Sequence, residues 1–324
     1  GAVATSASKE ANMERNTRRG IALALLAAAL YALNAPFSKL LLERIPPTLM
    51  AGFLYLGAGM GMAVLVLVKK LRKTQARELP LTRAELPYTV AMIVLDIAAP
   101  IFLLLGLSAT TAANASLLNN FEIVATAIIA LAVFKEAISP RLWLGILFVT
   151  LSCLILSFED LSSLRFSHGS LFVLLAAACW GFENNCTRKI SSRDPMQIVL
   201  LKGLFSGAGS TLIGLCLGER TDSLPGVVCA LLLGFVAYGL SIYFYVHAQR
   251  LLGAARTSAY YAVAPFIAAL LSLAVFREFP DLAYFIALAL MIAGAWLSSR
   301  DEPALPLDRT RGKTGRPAGG SSKP

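Results

Sequence analysis

The sequence has little charge, little histidine and no paired cysteine motif, and each shortage excludes a class of protein. Charged residues make up 15% of the 324 positions, whereas 57% are hydrophobic, which is too apolar for a soluble domain of this length. The chain has two histidines and five cysteines, with no CxxC spacing among the cysteines. The sequence therefore predicts no disulfide framework, no metal site and no cofactor, and it predicts that the protein is not an enzyme.

The sequence contains many long apolar segments. A helix needs about 17 to 25 apolar residues to cross a hydrocarbon layer roughly 30 Å thick. We predict an all-α integral membrane protein with ten transmembrane helices, called spans 1 to 10 in chain order. Their predicted bounds are 20–42, 47–68, 86–105, 110–133, 141–157, 170–190, 195–217, 225–248, 254–276 and 281–298.

The second half of the chain repeats the first. The segment that begins at Gly20 aligns with the one that begins at Gly169, an offset of 149 (169 − 20), and Phe-Lys-Glu at 134–136 aligns with Phe-Arg-Glu at 276–278. Each copy holds five spans, so the second copy enters the membrane from the opposite side. Many secondary transporters build a central site from such inverted repeats.

The repeat divides the chain into four parts. Residues 20–158 form the first five-helix repeat and residues 169–298 form the second, inverted one. Residues 1–19 are predicted to be an N-terminal cytoplasmic tail, in which residues 1–12 are interpreted as an extension ahead of Met13. Residues 299–324 are rich in Pro, Gly, Ser and Arg and are predicted to be a disordered cytoplasmic tail.

The basic residues predict the orientation and exclude one partner. With the N-terminus inside and ten alternating spans, 23 of the 29 Lys and Arg residues fall in cytoplasmic segments, as the positive-inside rule requires. We therefore predict a multi-pass protein of the cell membrane, inner or plasma, with both termini cytoplasmic. A nucleic-acid partner is not expected, because the charge forms no basic stripe on a soluble domain.

Prolines and glycines mark irregular or close-packed places in the spans. Pro36, Pro100 and Pro265 lie inside spans 1, 3 and 9, where a proline removes a backbone hydrogen bond and kinks the helix. GxxxG steps occur at 57–61 in span 2 and at 203–207 and 214–218 in span 7. These steps predict close contact between helices.

Polar residues in spans 1 and 6 share helix faces and repeat across the two halves. Tyr31, Asn34 and Ser38 are spaced i, i+3, i+7 and therefore lie on one face of span 1. Because a polar side chain inside a membrane must be paired or face a cavity, we predict that both faces line a substrate site. The counterparts in span 6 are Trp180, Glu183 and Thr187.

Spans 3, 4, 8 and 9 extend the predicted site with carboxylates on one wall and aromatic rings on the other. Asp96, Glu122 and Glu183 are the deeply placed acids, and each is a candidate for proton coupling, because burial favours a neutral carboxyl. Lys202, near the inner end of span 7, is a candidate either to extend to the membrane interface or to neutralise Glu183. The remaining predicted substrate-binding residues are Asn119, Asn184, Tyr238 and Tyr261.

These features together resemble the EamA branch of the drug/metabolite transporter superfamily. The resemblance covers roughly residues 20–298 and depends on the paired repeats, Leu-Asn-Ala-Pro-Phe-Ser-Lys at 33–39, Ala-Asn-Ala-Ser-Leu-Leu-Asn-Asn-Phe-Glu at 113–122, and the Phe-basic-Glu ends. It implies ten helices, a central cavity lined by helices 1, 3, 4, 6, 8 and 9, and alternating access. The acidic cavity departs from what a purely hydrophobic drug would require.

The predicted function is secondary active or facilitative transport of a small metabolite, an amino acid or amine-like solute, with export as the expected direction. A multidrug or hydrophobic-cation exporter of the same fold is the alternative. A channel or a membrane-embedded enzyme belongs to another class and is less favoured by the inverted repeat. The expected partners are a small-molecule substrate, the lipid bilayer and a proton as candidate coupling ion, with the chain acting as a monomer or homodimer.

Overall fold

The computed structural model describes residues 2–72, 79–135, 138–160, 165–190, 192–252, 257 and 260–299. Fourteen α-helices are numbered α1 to α14 in chain order, and one short antiparallel ladder pairs Phe158–Asp160 with Arg165–Phe166. The helices are α1 Ala2–Ala32, α2 Asn34–Leu41, α3 Pro47–Leu71, α4 Leu86–Ala109, α5 Ala112–Leu118, α6 Phe121–Ala132, α7 Pro140–Ser157, α8 His168–Ile190, α9 Pro195–Leu201, α10 Gly207–Cys216, α11 Leu224–Gly234, α12 Ser241–Leu252, α13 Ala264–Phe276 and α14 Leu282–Ser299.

The prediction of an all-α, multi-span membrane protein is confirmed. Among the described residues, seven helical segments are long and apolar enough to cross a membrane, and Ala264–Phe276 and Leu282–Ser298 are shorter apolar helices. The helix α8 has 23 residues but carries more polar groups. The predicted total of ten membrane-crossing helices stays a prediction. Residues 300–324 of the predicted C-terminal tail lie outside the described residues, and α1 runs without a break from Ala2 into span 1.

Spans 1, 4 and 9 are each broken near their middle. Span 1 breaks at Leu33, span 4 at Asn119 and Asn120, and span 9 just before α13. Pro36 and Pro265 lie in the first turn of the helix that follows the break, where a missing N–H removes no intrahelical bond. These two prolines therefore start a new helix instead of kinking a continuous one. Pro100 lies inside the unbroken helix α4.

Spans 7 and 8 each contain a π-helical turn, at Lys202–Ser206 and at Phe235–Leu240. A serine at the end of each turn bonds a neighbouring helix. Ser206 donates to the Ile93 carbonyl at 3.2 Å, and Ser241 donates to the Ala27 carbonyl at 2.8 Å. Each inserted residue shifts the side chains after it around the helix axis, and such π turns occur frequently at functional sites.

Glycines bring span 2 into backbone contact with spans 7 and 8. A Cβ on Gly57 would overlap the Leu231 carbonyl, and one on Gly203 would lie 2.5 Å from the Gly59 backbone. The first two GxxxG steps therefore serve close packing as predicted. The third does not, because Gly218 has nothing within 4 Å and takes a φ of 79°. Gly218 ends helix α10, and its freedom at positive φ explains its presence.

Candidate functional site

A small cavity of about 30 Å³ lies where the broken helices meet. Its polar lining comes from Tyr31 and Asn34 of span 1 and from Ser116 and Asn119 of span 4, and Pro265 closes it from span 9. Both halves of the chain therefore contribute to it. A volume of this size holds one or two water molecules, so the cavity is closed to a larger solute in this conformation.

The amide groups around this cavity are only partly satisfied. Asn34 is buried, donates to the Tyr238 hydroxyl at 3.0 Å and accepts from Ser38 at 3.0 Å. Asn119 donates weakly to the Tyr31 hydroxyl at 3.5 Å, and its side-chain oxygen has no hydrogen-bond partner among the described residues. A buried amide oxygen without a partner is costly. Asn119 therefore offers a free acceptor beside the cavity.

Tyrosine rings form a continuous aromatic cluster next to the cavity. The Tyr31 ring lies 5.8 Å from that of Tyr238 and 6.0 Å from that of Tyr261, measured between centroids. Tyr245 adds a fourth ring, 5.0 Å from Tyr261. This cluster is called the tyrosine cage. The π face of a tyrosine ring can attract an organic cation.

Two of the three predicted acids form a buried ion triad with Lys202. The Lys202 ammonium lies 3.1 Å from Asp96 Oδ2 and 3.1 Å from Glu183 Oε1, and Thr187 also donates to Glu183. The Asp96 side chain is fully buried and that of Glu183 is 3% exposed. The predicted acidic wall is thus largely compensated, because Asp96 and Glu183 share a counter-charge. Lys202 reaches them from the first residue of its π turn.

Tyr55 joins the ion triad to the tyrosine cage, and no pattern in the sequence indicates this role. Its hydroxyl donates to Asp96 Oδ1 at 3.0 Å and accepts from the Trp180 indole at 3.4 Å. Its ring lies 5.2 Å from that of Tyr238. Span 2 reads as a purely apolar, glycine-rich helix, and only the three-dimensional contact identifies Tyr55 as part of the polar network.

Glu122 is the one predicted acid outside the ion triad. The Asn184 amide donates to Glu122 Oε1 at 2.5 Å and to Thr126 at 3.4 Å. Glu122 lies three residues after Asn119, whose amide donates to the Tyr31 hydroxyl at 3.5 Å, and a negative charge on Glu122 acts on the hydroxyls of Tyr31 and Tyr261. The Glu122 carboxyl therefore has a neutral hydrogen-bond partner, in contrast to Asp96 and Glu183, which are paired with a cation.

A larger opening, called the vestibule, lies at the end of the bundle where α4 ends and α5 begins. It has a volume of about 650 Å³ and is lined by Thr111, Asn114, Glu278, Asp281 and Tyr284 among others. Burial raises the pKa of the Glu278 carboxyl, and the positive charge of Lys39 partly offsets that effect. The Lys39 ammonium also donates to the carbonyls of Leu107 at 2.5 Å and Thr110 at 2.8 Å.

The predicted substrate-binding residues fall into three neighbouring groups. Tyr31, Asn34 and Asn119 line the cavity, and Ser38 bonds Asn34 beside it. The second group is the tyrosine cage with Glu122 and Asn184. The third is the ion triad with Trp180, which contacts the rest through Tyr55.

Buried polar groups from both halves, an interface cavity between them and membrane-length helices define the class of a membrane transporter built from two repeats. The chain belongs to the EamA-like transporter family, whose profile matches residues 18–158 and again residues 167–300. The suspected resemblance to this family is thereby confirmed.

Two curated relatives and one solved structure are similar to this chain. An "uncharacterized transporter" of Methanothermobacter thermautotrophicus is 25% identical over 294 residues, covering 84% of each chain. The "uncharacterized transporter YyaM" of Bacillus subtilis is 22% identical over 229 residues, covering 68% of this chain and 73% of the relative. A protein crystal structure superimposes with a TM-score of 0.59 at 19% identity, over 88% of this chain and 97% of its own; this likeness concerns the fold alone.

Proposed function

We propose that this transporter carries a small solute with an ammonium group, such as an amino acid or a related amine, across the cell membrane by alternating access. Export is the direction implied by the family resemblance, with both termini cytoplasmic. The observation that carries the proposal is the tyrosine cage with Glu122 beside it, at the meeting point of the two repeats. Rings attract the cation through their π faces, and a carboxylate adds charge and a hydrogen-bond acceptor.

Glu122 is the acid best suited to bind the ammonium group. Asp96 and Glu183 already share the Lys202 ammonium at 3.1 Å each, so a second cation would compete with a bonded one. Glu122 is held by the neutral Asn184 amide. A positively charged solute would therefore gain most from Glu122 and the rings of Tyr31 and Tyr261.

Alternating access is supported by the contrast between the cavity and the vestibule. The cavity of about 30 Å³ excludes a solute, whereas the vestibule of about 650 Å³ is the size of a small-molecule site. Under the predicted topology the vestibule lies on the non-cytoplasmic side. The helix breaks in spans 1, 4 and 9 give the halves places where backbone angles change during opening.

The test is flux into proteoliposomes with a matched panel of solutes. The panel pairs each amino acid with its N-acetyl derivative and adds simple amines and hydrophobic cations. We expect saturable flux that requires the ammonium group, and at least a tenfold loss of flux in Glu122→Gln. Glu43→Gln, which changes an exposed acid on the same half, is the control and should keep wild-type flux.

Three outcomes separate the alternatives. Equal flux of amino acids and their N-acetyl derivatives would overturn the ammonium proposal. Saturable flux confined to hydrophobic cations would favour the multidrug alternative. Flux that rises linearly with concentration, without counter-transport, would identify a channel.

A further inference from the structure

We propose that the Asp96–Lys202–Glu183 triad binds one exchangeable proton and that this proton drives transport. The proposal deepens the function proposed above and rests on it only for the coupling, since the proton site is testable without any substrate. The evidence for the proton site is the balance of charge among the three side chains of the triad and their burial.

The ion triad contains one more acidic group than basic groups. Two carboxylates face one ammonium, with Lys202 at 3.1 Å from each acid, so the fully ionised triad has a net charge of −1. Asp96 is fully buried, and Lys202 itself is only 16% exposed. An uncompensated charge inside a membrane is costly, which is why intramembrane ionisable groups are paired or functional. One added proton makes the triad neutral.

The groups that surround the triad do not supply the missing positive charge. Tyr55 and Thr187 donate hydroxyl hydrogen bonds to the two acids, and Trp180 bonds Tyr55. Glu122 is a further negative group that acts on Glu183, and so increases the need for a proton. The other titratable side chains that interact with the triad are Tyr31, Tyr238 and Cys186. Lys202 is therefore the cation of this cluster within the described part of the chain.

The binding step is a simple protonation. A proton from the aqueous phase forms an O–H bond with a carboxylate oxygen of Asp96 or Glu183, and the other acid keeps the ion pair with Lys202. Because both acids contact the same ammonium, the proton belongs to the pair and is not assigned to one residue. Release breaks the same O–H bond and restores the charge of −1.

The triad is placed to respond to movement between the halves. Asp96 comes from the first half, and Glu183 and Lys202 come from the second. Lys202 opens a π turn, and Gly203 beside it presses on Gly59 of span 2. A shift of span 7 along this contact would change the two distances of Lys202 from its acids. Contact with the tyrosine cage runs through Tyr55 and Tyr238, whose rings lie 5.2 Å apart.

Infrared difference spectroscopy of the purified protein tests the proton site directly. Protonated carboxyls absorb apart from carboxylates, and the band shifts in D₂O. A protein carrying Glu122→Gln and Glu278→Gln serves as the wild type for these measurements, so that neither of these two other shielded acids contributes. We expect it to lose one protonated carboxyl as the pH rises. Asp96→Asn and Glu183→Gln should each abolish that component. In either variant the remaining acid and the Lys202 ammonium together have no net charge, so no proton is needed. Glu43→Gln should leave it unchanged.

The lysine gives a second, opposite test. Lys202→Met should raise the protonated component to about twice the wild-type amplitude, because both acids lose their counter-charge. If that variant fails to fold, Lys202→Met combined with Asp96→Asn leaves a single uncompensated acid and should restore the component lost in Asp96→Asn. A component that survives in Asp96→Asn or in Glu183→Gln, or is absent from the wild type at every pH, would overturn the proton site.

Proteoliposome flux then tests the coupling separately. In the wild type and in Glu43→Gln, an imposed pH gradient should drive accumulation of the solute several-fold, whereas Asp96→Asn should show no accumulation in response to the gradient. Saturable flux that no pH gradient changes would overturn the coupling even if the infrared component is present. Absence of flux for every solute in the panel would refute the proposed substrate class and leave the infrared result to decide the proton site.

Discussion

Lys135 and Arg277 take the same left-handed backbone conformation, with φ of 58° and 53°, although 142 residues (277 − 135) separate them. They are the non-glycine residues with positive φ in the described part of the chain, and they occupy the same place in the two Phe-basic-Glu motifs. Each follows the end of the fourth span of its repeat, which is span 4 for Lys135 and span 9 for Arg277, and this conformation closes the last helical turn. The duplication therefore extends to individual backbone angles.

Replacing Arg277 by glycine should stabilise the fold. Glycine adopts positive φ without the penalty of roughly 1–2 kcal/mol that other residues incur there, and Arg277 is exposed. We expect Arg277→Gly to raise the thermal unfolding temperature in detergent by a few degrees. Arg220→Gly, outside such a conformation, is the control. A lower unfolding temperature for Arg277→Gly would mean that its side chain contributes more than the strain costs.

Even alanine should be poorly tolerated at Gly57. The added Cβ would overlap the Leu231 carbonyl oxygen, which belongs to backbone and cannot turn aside as a side chain does. We expect Gly57→Ala to reduce the monodisperse fraction in size-exclusion chromatography well below that of Leu67→Ala, which truncates a side chain that is 56% exposed on the same helix. Equal recovery of the two variants would refute the close contact of spans 2 and 8.

The loss of the Asn34 amide should weaken substrate binding. Asn34→Ala removes the donor to Tyr238 and the acceptor for Ser38, and a lost buried hydrogen bond costs about 1–3 kcal/mol. We expect the half-saturation concentration to rise roughly tenfold or more, with the response to a pH gradient intact because the ion triad is untouched. Ser38→Ala, which removes only one of the two bonds, should have a smaller effect.

Cysteine labelling should place α3 and α11 with their predicted orientation. In a background without native cysteines, Arg72→Cys at the end of α3 should react with an impermeant maleimide only from the cytoplasmic side. Asp222→Cys, just before α11, should react only from outside. The reverse pattern, or reaction of both positions from one side, would contradict the orientation predicted from the basic residues.

The sequence was sufficient for the all-α, multi-span class of the fold, but not for all of the helix breaks or for the sharing of Lys202 between two acids. Apolar runs have a length and composition that only a membrane helix satisfies, and Pro36 and Pro265 marked two of the three breaks. The break at Asn119 contains no proline and depends on tertiary contacts. The sequence made Lys202 a candidate to neutralise Glu183, and the two side chains lie 3.1 Å apart. Nothing in the sequence indicates the π turn that begins at Lys202, or its second contact with Asp96.

The glycine contacts also limit how two copies of this chain could associate. Gly57, Gly203 and Gly207 have their small faces pressed against neighbouring backbone within the same molecule. A GxxxG face already occupied in this way is not available to a second copy. A homodimer would therefore need a surface other than these glycine contacts. Larger apolar side chains face outward elsewhere, such as Leu212 on α10 and Leu232 on α11.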